Sequence, residues 1–324
     1  MDIYVKKAII HQFSPDDTDL YLADKLLNIT PKIEEYLRKK IERVYSDEAR
    51  TGIFEEDNPF LEMISDDLLE TSVAVANRWK EEFVVSENQK TNDLVFIQFS
   101  KEGVDHFAFL RIALRETLTH LGDEVDNPIK LTQNNLPGFG TGADEALVIN
   151  LQSRKYHLIE KRIKYNGTFL NYFSENLLQA QPKISPKKSI KALEKTAQKI
   201  AESFNADDFQ FQSKVKSAIF NHIEEENKLS PEKLADDLFD DNLTARLSFI
   251  DQVKEAVPEP VTFEEIDASR QLKKFENQKL SLSNGIELIV PNNVYEDAES
   301  VEFILNENGT YSILIKNIED IQSK

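Results

Sequence analysis

Hydrophobic and polar positions change their period several times along the chain. Residues 2–13 read as a strand: Ile3, Val5 and the run Ala8–Ile10 are β-compatible, and Ser14-Pro15-Asp16-Asp17 ends it. Thr30-Pro31 is a helix start, with Thr30 as N-cap and Pro31 in the first turn. Ile33, Leu37, Ile41 and Val44 follow at helical spacing, while Arg38, Lys39, Lys40 and Arg43 fall largely on other faces. A second helix is predicted over 59–84, with Phe60, Ile64, Leu68, Val75 and Trp79 among its apolar positions. Asp93–Ser100 and His106–Leu114 read as strands joined at Glu102-Gly103, an antiparallel hairpin. Residues 144–151 and 156–163 add two strand candidates, and Leu136–Glu145 before them is glycine-rich.

From Thr168 the pattern turns helical, over 168–180, 185–204, 208–227, 231–240 and 242–256. Ser185-Pro186 and Ser230-Pro231 supply two of the starts. Val257–Pro260 reads as a linker, and 279–318 returns to strands. There Val301–Leu305 and Tyr311–Ile315 flank Asn308-Gly309, a dipeptide that tolerates the positive φ of tight hairpin turns. The expected architecture is α+β in three parts. An N-terminal antiparallel sheet with packed helices spans 1–165, a helical middle spans 166–258, and a small β-rich C-terminal unit spans 259–324. Val301–Leu305 is the strand expected to pair across a homodimer interface.

Composition narrows the classes. A length of 324 residues fits two or three domains at about 100–200 residues each. The longest uninterrupted apolar runs, such as Leu94–Ile97 and Phe107–Leu110, have four residues, whereas a membrane span needs about 20. The opening MDIYVKKAIIHQF has no long apolar run of the kind a secretory signal carries. These features lead to the expectation of a cytoplasmic protein with no membrane contact. Absence of cysteine excludes disulfides, thiolate nucleophiles, zinc ribbons and iron–sulfur ligation.

The formal net charge is −19, which spread evenly would repel DNA. The distribution is uneven. Residues 1–149 hold 16 basic and 29 acidic side chains, residues 150–200 hold 11 and 3, and residues 201–324 hold 12 and 26. Within the basic stretch, the helix over 185–204 places Ile190, Leu193, Ala197, Ile200 and Phe204 on one stripe at 100° per residue. Lys187, Lys188, Lys191, Lys195 and Lys199 cluster on the opposite side. Several point charges on one surface are what phosphate recognition requires, each displacing a condensed counterion. Arg154, Lys155, Lys161, Arg162 and Lys164 extend the patch if the fold brings them near. The same lysine face also fits a merely solvated helix, or one paired with an acidic domain. The helix holds no arginine, so contact would be directed to the backbone and weakly selective for sequence.

Other constellations carry less. The loop LPGFGTGADE contains Gly138, Gly140 and Gly142 but lacks the Gly-Lys-Ser/Thr ending of a P-loop, so it reads as a mobile surface loop. His11, His106, His120, His157 and His222 form no H-E-x-x-H or similar pair and read as structural. No metal site and no cofactor are expected. Asp66-Asp67, Asp236-Asp237 and Asp240-Asp241 match nuclease carboxylates only in composition, because adjacent residues on a helix point apart. Phe169, Tyr172 and Phe173 offer rings for base stacking, but their i, i+3, i+4 spacing fits a buried helix face better.

Five strings, IIHQF (Ile9–Phe13), LADKLLNIT (Leu22–Thr30), RVYSDEARTGIFEED (Arg43–Asp57), EKRIKYNGTFLNYFSENLL (Glu160–Leu178) and FENQKLSLSNGIELIVP (Phe275–Pro291), together with the hairpin near 93–114, resemble the bacterial 37-kDa nucleoid-associated protein family. The similarity runs over nearly the full length. It implies a protein of the bacterial nucleoid, binding double-stranded DNA directly or through DNA-bound partners, with no enzymatic activity. It assigns no residue to DNA contact. The acidic flanks motivate an alternative: an acidic adaptor that reaches the nucleoid by binding a basic protein there, such as a topoisomerase subunit.

Overall fold

The structure is a computed structural model, described over residues 2–87, 89–120, 129–204, 209–263 and 265–322. The chain is mixed α+β and divides into two compact units, Met1–Ser185 and Pro186–Lys324.

The N-terminal unit is organised by a seven-stranded antiparallel sheet. Its elements in order are β1 (Ile3–Ser14), β2 (Asp19–Tyr21), α1 (Pro31–Glu42), β3 (Arg50–Ile53), α2 (Pro59–Glu62), α3 (Leu68–Phe83), β4 (Asn92–Lys101) and β5 (Val104–Ala113). Then follow β6 (Arg115–His120), β7 (Ile129–Asn135), β8 (Glu145–Asn150), β9 (Lys155–Ile159), β10 (Ile163–Tyr165) and β11 (Thr168–Leu170). The sheet order is β2-β1-β4-β5-β8-β9-β3. Leu94 and Phe96 point to one face, with Phe107, Phe109, Leu147 and Ile149, and are covered by Val75, Trp79 and Phe83 of α3. Val95, Ile97 and Phe99 point to the other, with Ala108, Leu110 and Val148, and are covered by Leu37 and Ile41 of α1. Burial on both faces is why these strands read as unbroken apolar runs rather than as alternation. A bulge between Val5 and Lys7 shifts the register of β1. Ile3 and Val5 therefore share a face with Ala8.

Two helices expected in this unit differ. The segment 59–84 breaks into α2 and α3, because Asp67 accepts the Leu69 N–H (2.8 Å) and caps a fresh start. The segment 168–180 is not a regular helix. Asn166 and Gly167 take positive φ (47° and 78°), closing a β10–β11 hairpin, and Phe173–Leu177 forms one wide π-type turn. Tyr172, Phe173, Leu177 and Leu178 are buried against the sheet, which makes 166–185 part of this unit rather than the start of a helical domain.

The C-terminal unit contains α4 (Pro186–Ser203), α5 (Phe209–Glu226), β12 (Lys228–Leu229), α6 (Pro231–Leu238), α7 (Leu243–Lys254), β13 (Val261–Thr262) and α8 (Glu265–Phe275). Next come β14 (Asn277–Ser281), β15 (Glu287–Pro291), α9 (Asn292–Tyr295), β16 (Val301–Leu305) and β17 (Tyr311–Ile315). One core joins Leu193 and Ala197 of α4, Ile219 and Ile223 of α5, Leu234 of α6 and Phe249 of α7. Val261, Phe263, Ala268 and Phe275 enter the same core. The sequence reading draws a boundary at 258/259, but residues beyond it complete the helical core, and α8 lies where that reading places no helix. β16 pairs with β17 around Gly309, whose φ is 78°.

Candidate nucleic-acid interface

α4 is a two-faced helix. Ile190, Leu193, Ala197 and Ile200 are buried in the core of the C-terminal unit. Lys187, Lys188, Lys191, Lys195 and Lys199 are all exposed. The period of 3.6 produces this division, since each lysine is out of phase with the apolar stripe. Phe204 departs from the stripe: the helix ends at Ser203, and Phe204 is 39% exposed. Lys199 Nζ donates to Gln252 Oε1 of α7 (3.0 Å). Glu194, half-buried on the same helix, has its carboxyl pushed up by burial and opposed by Lys274, Lys216 and Lys191. Lys216 of α5 and Lys274 of α8, which act on Glu194, are not singled out by the sequence reading. Lys216 lies within the helix predicted over 208–227, whereas the signal for Lys274 is a helical period in 265–275, between the predicted linker and the C-terminal strands.

The second basic group belongs to the N-terminal unit, and most of its members have local partners. Arg154, in a left-handed turn (φ 58°), pairs with Glu56 (3.1 Å). Lys161 pairs with Asp144 (2.6 Å) and Lys164 with Glu87 (3.1 Å). Arg162 Nε donates to Asn171 Oδ1 (3.3 Å). Lys155 is exposed on β9. Three of these five cations therefore carry a carboxylate counter-ion in the free protein. On α4, Glu194 is the one acidic residue between Lys187 and Lys199.

The glycine loop is not loose. Lys40 of α1 is fully buried, and its Nζ donates to the carbonyls of Pro137 (3.2 Å), Gly138 (2.9 Å) and Thr141 (2.5 Å). Burial, with Arg43 and Arg115 nearby, lowers this lysine's pKa to about 8. The loop's carbonyls are turned inward toward a cation, the reverse of a phosphate cradle, which presents amides. Tyr36 meets Phe139 edge-on (5.4 Å between centroids) and completes the anchor.

The remaining candidates take structural positions. His11 and His106 are buried, with pKa values lowered by burial. His222 Nε2 lies 2.6 Å from Asp237. Asp236 pairs with Arg246 (3.0 Å) and Asp240 with Lys214 (3.1 Å). Among the described residues no group of three or more histidine or carboxylate side chains could hold a metal ion. Tyr172 and Phe173 are buried, and Phe169 is 60% exposed on β11. Tyr172 belongs to a buried chain that sequence reading missed: Trp79 Nε1 donates to its hydroxyl (3.0 Å), which donates to Glu145. Arg111 Nε donates to the same carboxylate (2.6 Å) and Arg111 Nη1 to Asn92 Oδ1 (2.8 Å). Burial and the neighbouring Glu145 hold the Tyr172 phenol well above its ordinary pKa. No helix of the described residues is long and apolar enough to cross a membrane.

A sequence model of the family described as nucleoid-associated protein YejK matches residues 9–321. The chain belongs to that family. No curated protein matches it. Most of the strings shared in appearance with the nucleoid-associated family are framework. His11 of IIHQF accepts the Ala23 N–H of LADKLLNIT (3.0 Å), and Arg50 of RVYSDEARTGIFEED pairs with Glu160 of EKRIKYNGTFLNYFSENLL. They tie the sheet together, and none includes an α4 lysine.

Proposed function

We propose that this nucleoid-associated protein binds double-stranded DNA without catalysis, through backbone-directed contacts made by the exposed lysine face of α4. The observation that carries the reading is the placement of Lys187, Lys188, Lys191, Lys195 and Lys199 on one exposed face while the opposite stripe is locked in the core. Lysines without arginine favour phosphate over base edges, so affinity should be weakly dependent on sequence. A net charge of −19 does not oppose this, because a contact surface responds to the local field within about 10 Å at 0.1 M salt. The test is fluorescence anisotropy with a labelled duplex at several salt concentrations. If all five lysines meet phosphates, log affinity falls with log salt at a slope of about −4 to −5. Changing all five to alanine should abolish most of that slope; unchanged affinity would reject the assignment. In this reading Arg154, Lys161 and Lys164 act only by exchanging protein carboxylates for phosphates, and Arg162 by giving up the Asn171 side chain, while Lys155 is exposed on β9.

The ion pairs Arg154–Glu56, Lys161–Asp144 and Lys164–Glu87 favour a second reading for the N-terminal unit. These three cations are already matched by carboxylates, and the unit as a whole holds 22 basic against 31 acidic side chains, a balance suited to a basic nucleoid protein. Retention of protein partners after complete nuclease digestion supports that adaptor role, and their loss on digestion removes it.

A further inference from the structure

In the C-terminal unit, α5, α6 and the end of α9 surround a cavity of about 510 Å³. That is the size of sites for small organic ligands, about 300–1,000 Å³. Five carboxylates and two lysines line it: Glu225 and Glu226 of α5, Asp236 and Asp237 of α6 and Glu296 after α9, with Lys214 and Lys233. Both lysines are already matched, Lys233 by Glu226 and Lys214 by Asp240 (3.1 Å). Asp236 pairs with Arg246 (3.0 Å) and Asp237 with His222 (2.6 Å). Glu225 and Glu296 are exposed, and neither carboxylate has a partner among the described residues.

The wall of the cavity is also short of hydrogen bonds. His222 Nε2 donates to Asp237 Oδ2, which leaves the neutral ring a lone pair on Nδ1, and that atom is buried without a partner. Ser217, another wall residue, donates through Oγ to Asn292 Oδ1 (3.0 Å), and Gln278 Nε2 donates to the same oxygen (2.7 Å). Asn292 and Gln278 are 3% and 1% exposed, and Asn292 Nδ2 and Gln278 Oε1 have no partner. Five buried side-chain polar atoms lack a partner among the described residues, and three of them lie on this wall or directly behind it. Buried polar atoms in native proteins are nearly always paired, so this concentration marks a place where a bound group supplies the bonds.

We propose that the cavity binds a guanidinium group, with Glu225 and Glu296 as counter-ions and His222 Nδ1 as acceptor for one of its N–H groups. A guanidinium carries five N–H donors and no acceptor in a planar fork, so one group serves carboxylates and a ring nitrogen together. A metal ion is poorly served, because no group of three or more histidine or carboxylate side chains among the described residues could hold one. The site goes beyond the α4 reading and does not use the α4 lysines. Its guanidinium comes from a free small molecule or from an arginine side chain of a basic protein.

Isothermal titration calorimetry of the full chain with L-argininamide at about 50 mM salt tests the site. Binding should saturate at one ligand per chain with a Kd of about 0.1–1 mM. The pair Glu225→Gln, Glu296→Gln removes the two free charges and should weaken binding at least about tenfold. The pair Glu255→Gln, Glu287→Gln removes two exposed carboxylates elsewhere in the same unit and should leave Kd within about twofold. Equal weakening by the two pairs means diffuse attraction to an acidic surface and overturns the site, as does binding that never saturates. An unchanged Kd in His222→Gln overturns the acceptor role. Argininamide should raise the melting temperature of the parent and not that of the Glu225→Gln, Glu296→Gln pair; an equal rise in both counts against the site even where a variant is less stable. An acetylated Gly-Arg-Gly amide separates the two sources. Binding as tight as argininamide supports an arginine side chain, and exclusion of the peptide while argininamide binds supports a free guanidinium compound.

Discussion

At the scale of single residues, two buried titratable groups hold the N-terminal unit together and make it more stable as pH rises, each in its own window. His11 Nδ1 accepts the Ala23 N–H, so Nε2 carries the proton and donates to Ser72 Oγ (3.0 Å). Burial lowers its pKa, so between that value and the ordinary 6.5 the unfolded chain binds more protons. The stability His11 confers is present above pH 6.5 and is lost as pH falls through the lowered value. His11→Gln should cost about 1–3 kcal/mol at pH 7.5, and the gap to the parent should narrow toward pH 5, as read by urea unfolding. Lys40 has the same sign at higher pH. Its pKa of about 8 lies below the ordinary 10.5, so the unfolded chain again holds more protons, now between pH 8 and 10.5, and stability rises with pH across that window. Lys40→Met leaves three loop carbonyls without their donor and should cost about 1–3 kcal/mol. The gap should widen from pH 7.5 to 9.5; a constant gap would mean Lys40 is not titrating there.

Elements show where local pattern suffices and where it does not. α4 was legible because its period, its proline start and its buried stripe all agree, which is how a sequence specifies a helix without help from elsewhere. Leu193 is fully buried, so Leu193→Ala should cost about 2–5 kcal/mol in urea unfolding. Lys195→Ala, on the exposed face, should stay within about 0.5 kcal/mol. A reversal of that order would turn the helix over. The hairpin at Glu102-Gly103 was legible for the same reason as α4. The hairpin at Asn166-Gly167 carries the same kind of signal, yet the helical spacing of Phe169, Tyr172 and Phe173 masked it, because two short strands give too few residues to set a period. The break before α3 rests on one cap at Asp67 inside a continuous apolar pattern. The partners of Arg154, Lys161 and Lys164 were not legible at all. Each carboxylate comes from another part of the chain, 17 to 98 positions away, and charge counted in a window cannot register it.

At the scale of the whole molecule, the division between Ser185 and Pro186 separates the two groups of cations that the sequence placed in one basic stretch. Residues 1–185 hold 22 basic and 31 acidic side chains, and residues 186–324 hold 17 and 27, so both units are acidic and neither is attracted to DNA by net charge. Contact then depends on the arrangement of lysines within a unit, and the second unit sets five exposed lysines on one helix face backed by core. Each unit also buries its own apolar core, the condition for folding alone. A fragment of residues 186–324 should therefore melt cooperatively by circular dichroism and bind the labelled duplex within a few-fold of the full chain. A fragment of residues 1–185 should fold as well and bind at least about tenfold more weakly, a deficit of some 1.4 kcal/mol. Equal binding by the two fragments would move the contact to Arg154–Lys164. Binding by the full chain alone would require lysines from both units to act on one duplex, and the α4 face would lose its standing as a sufficient surface.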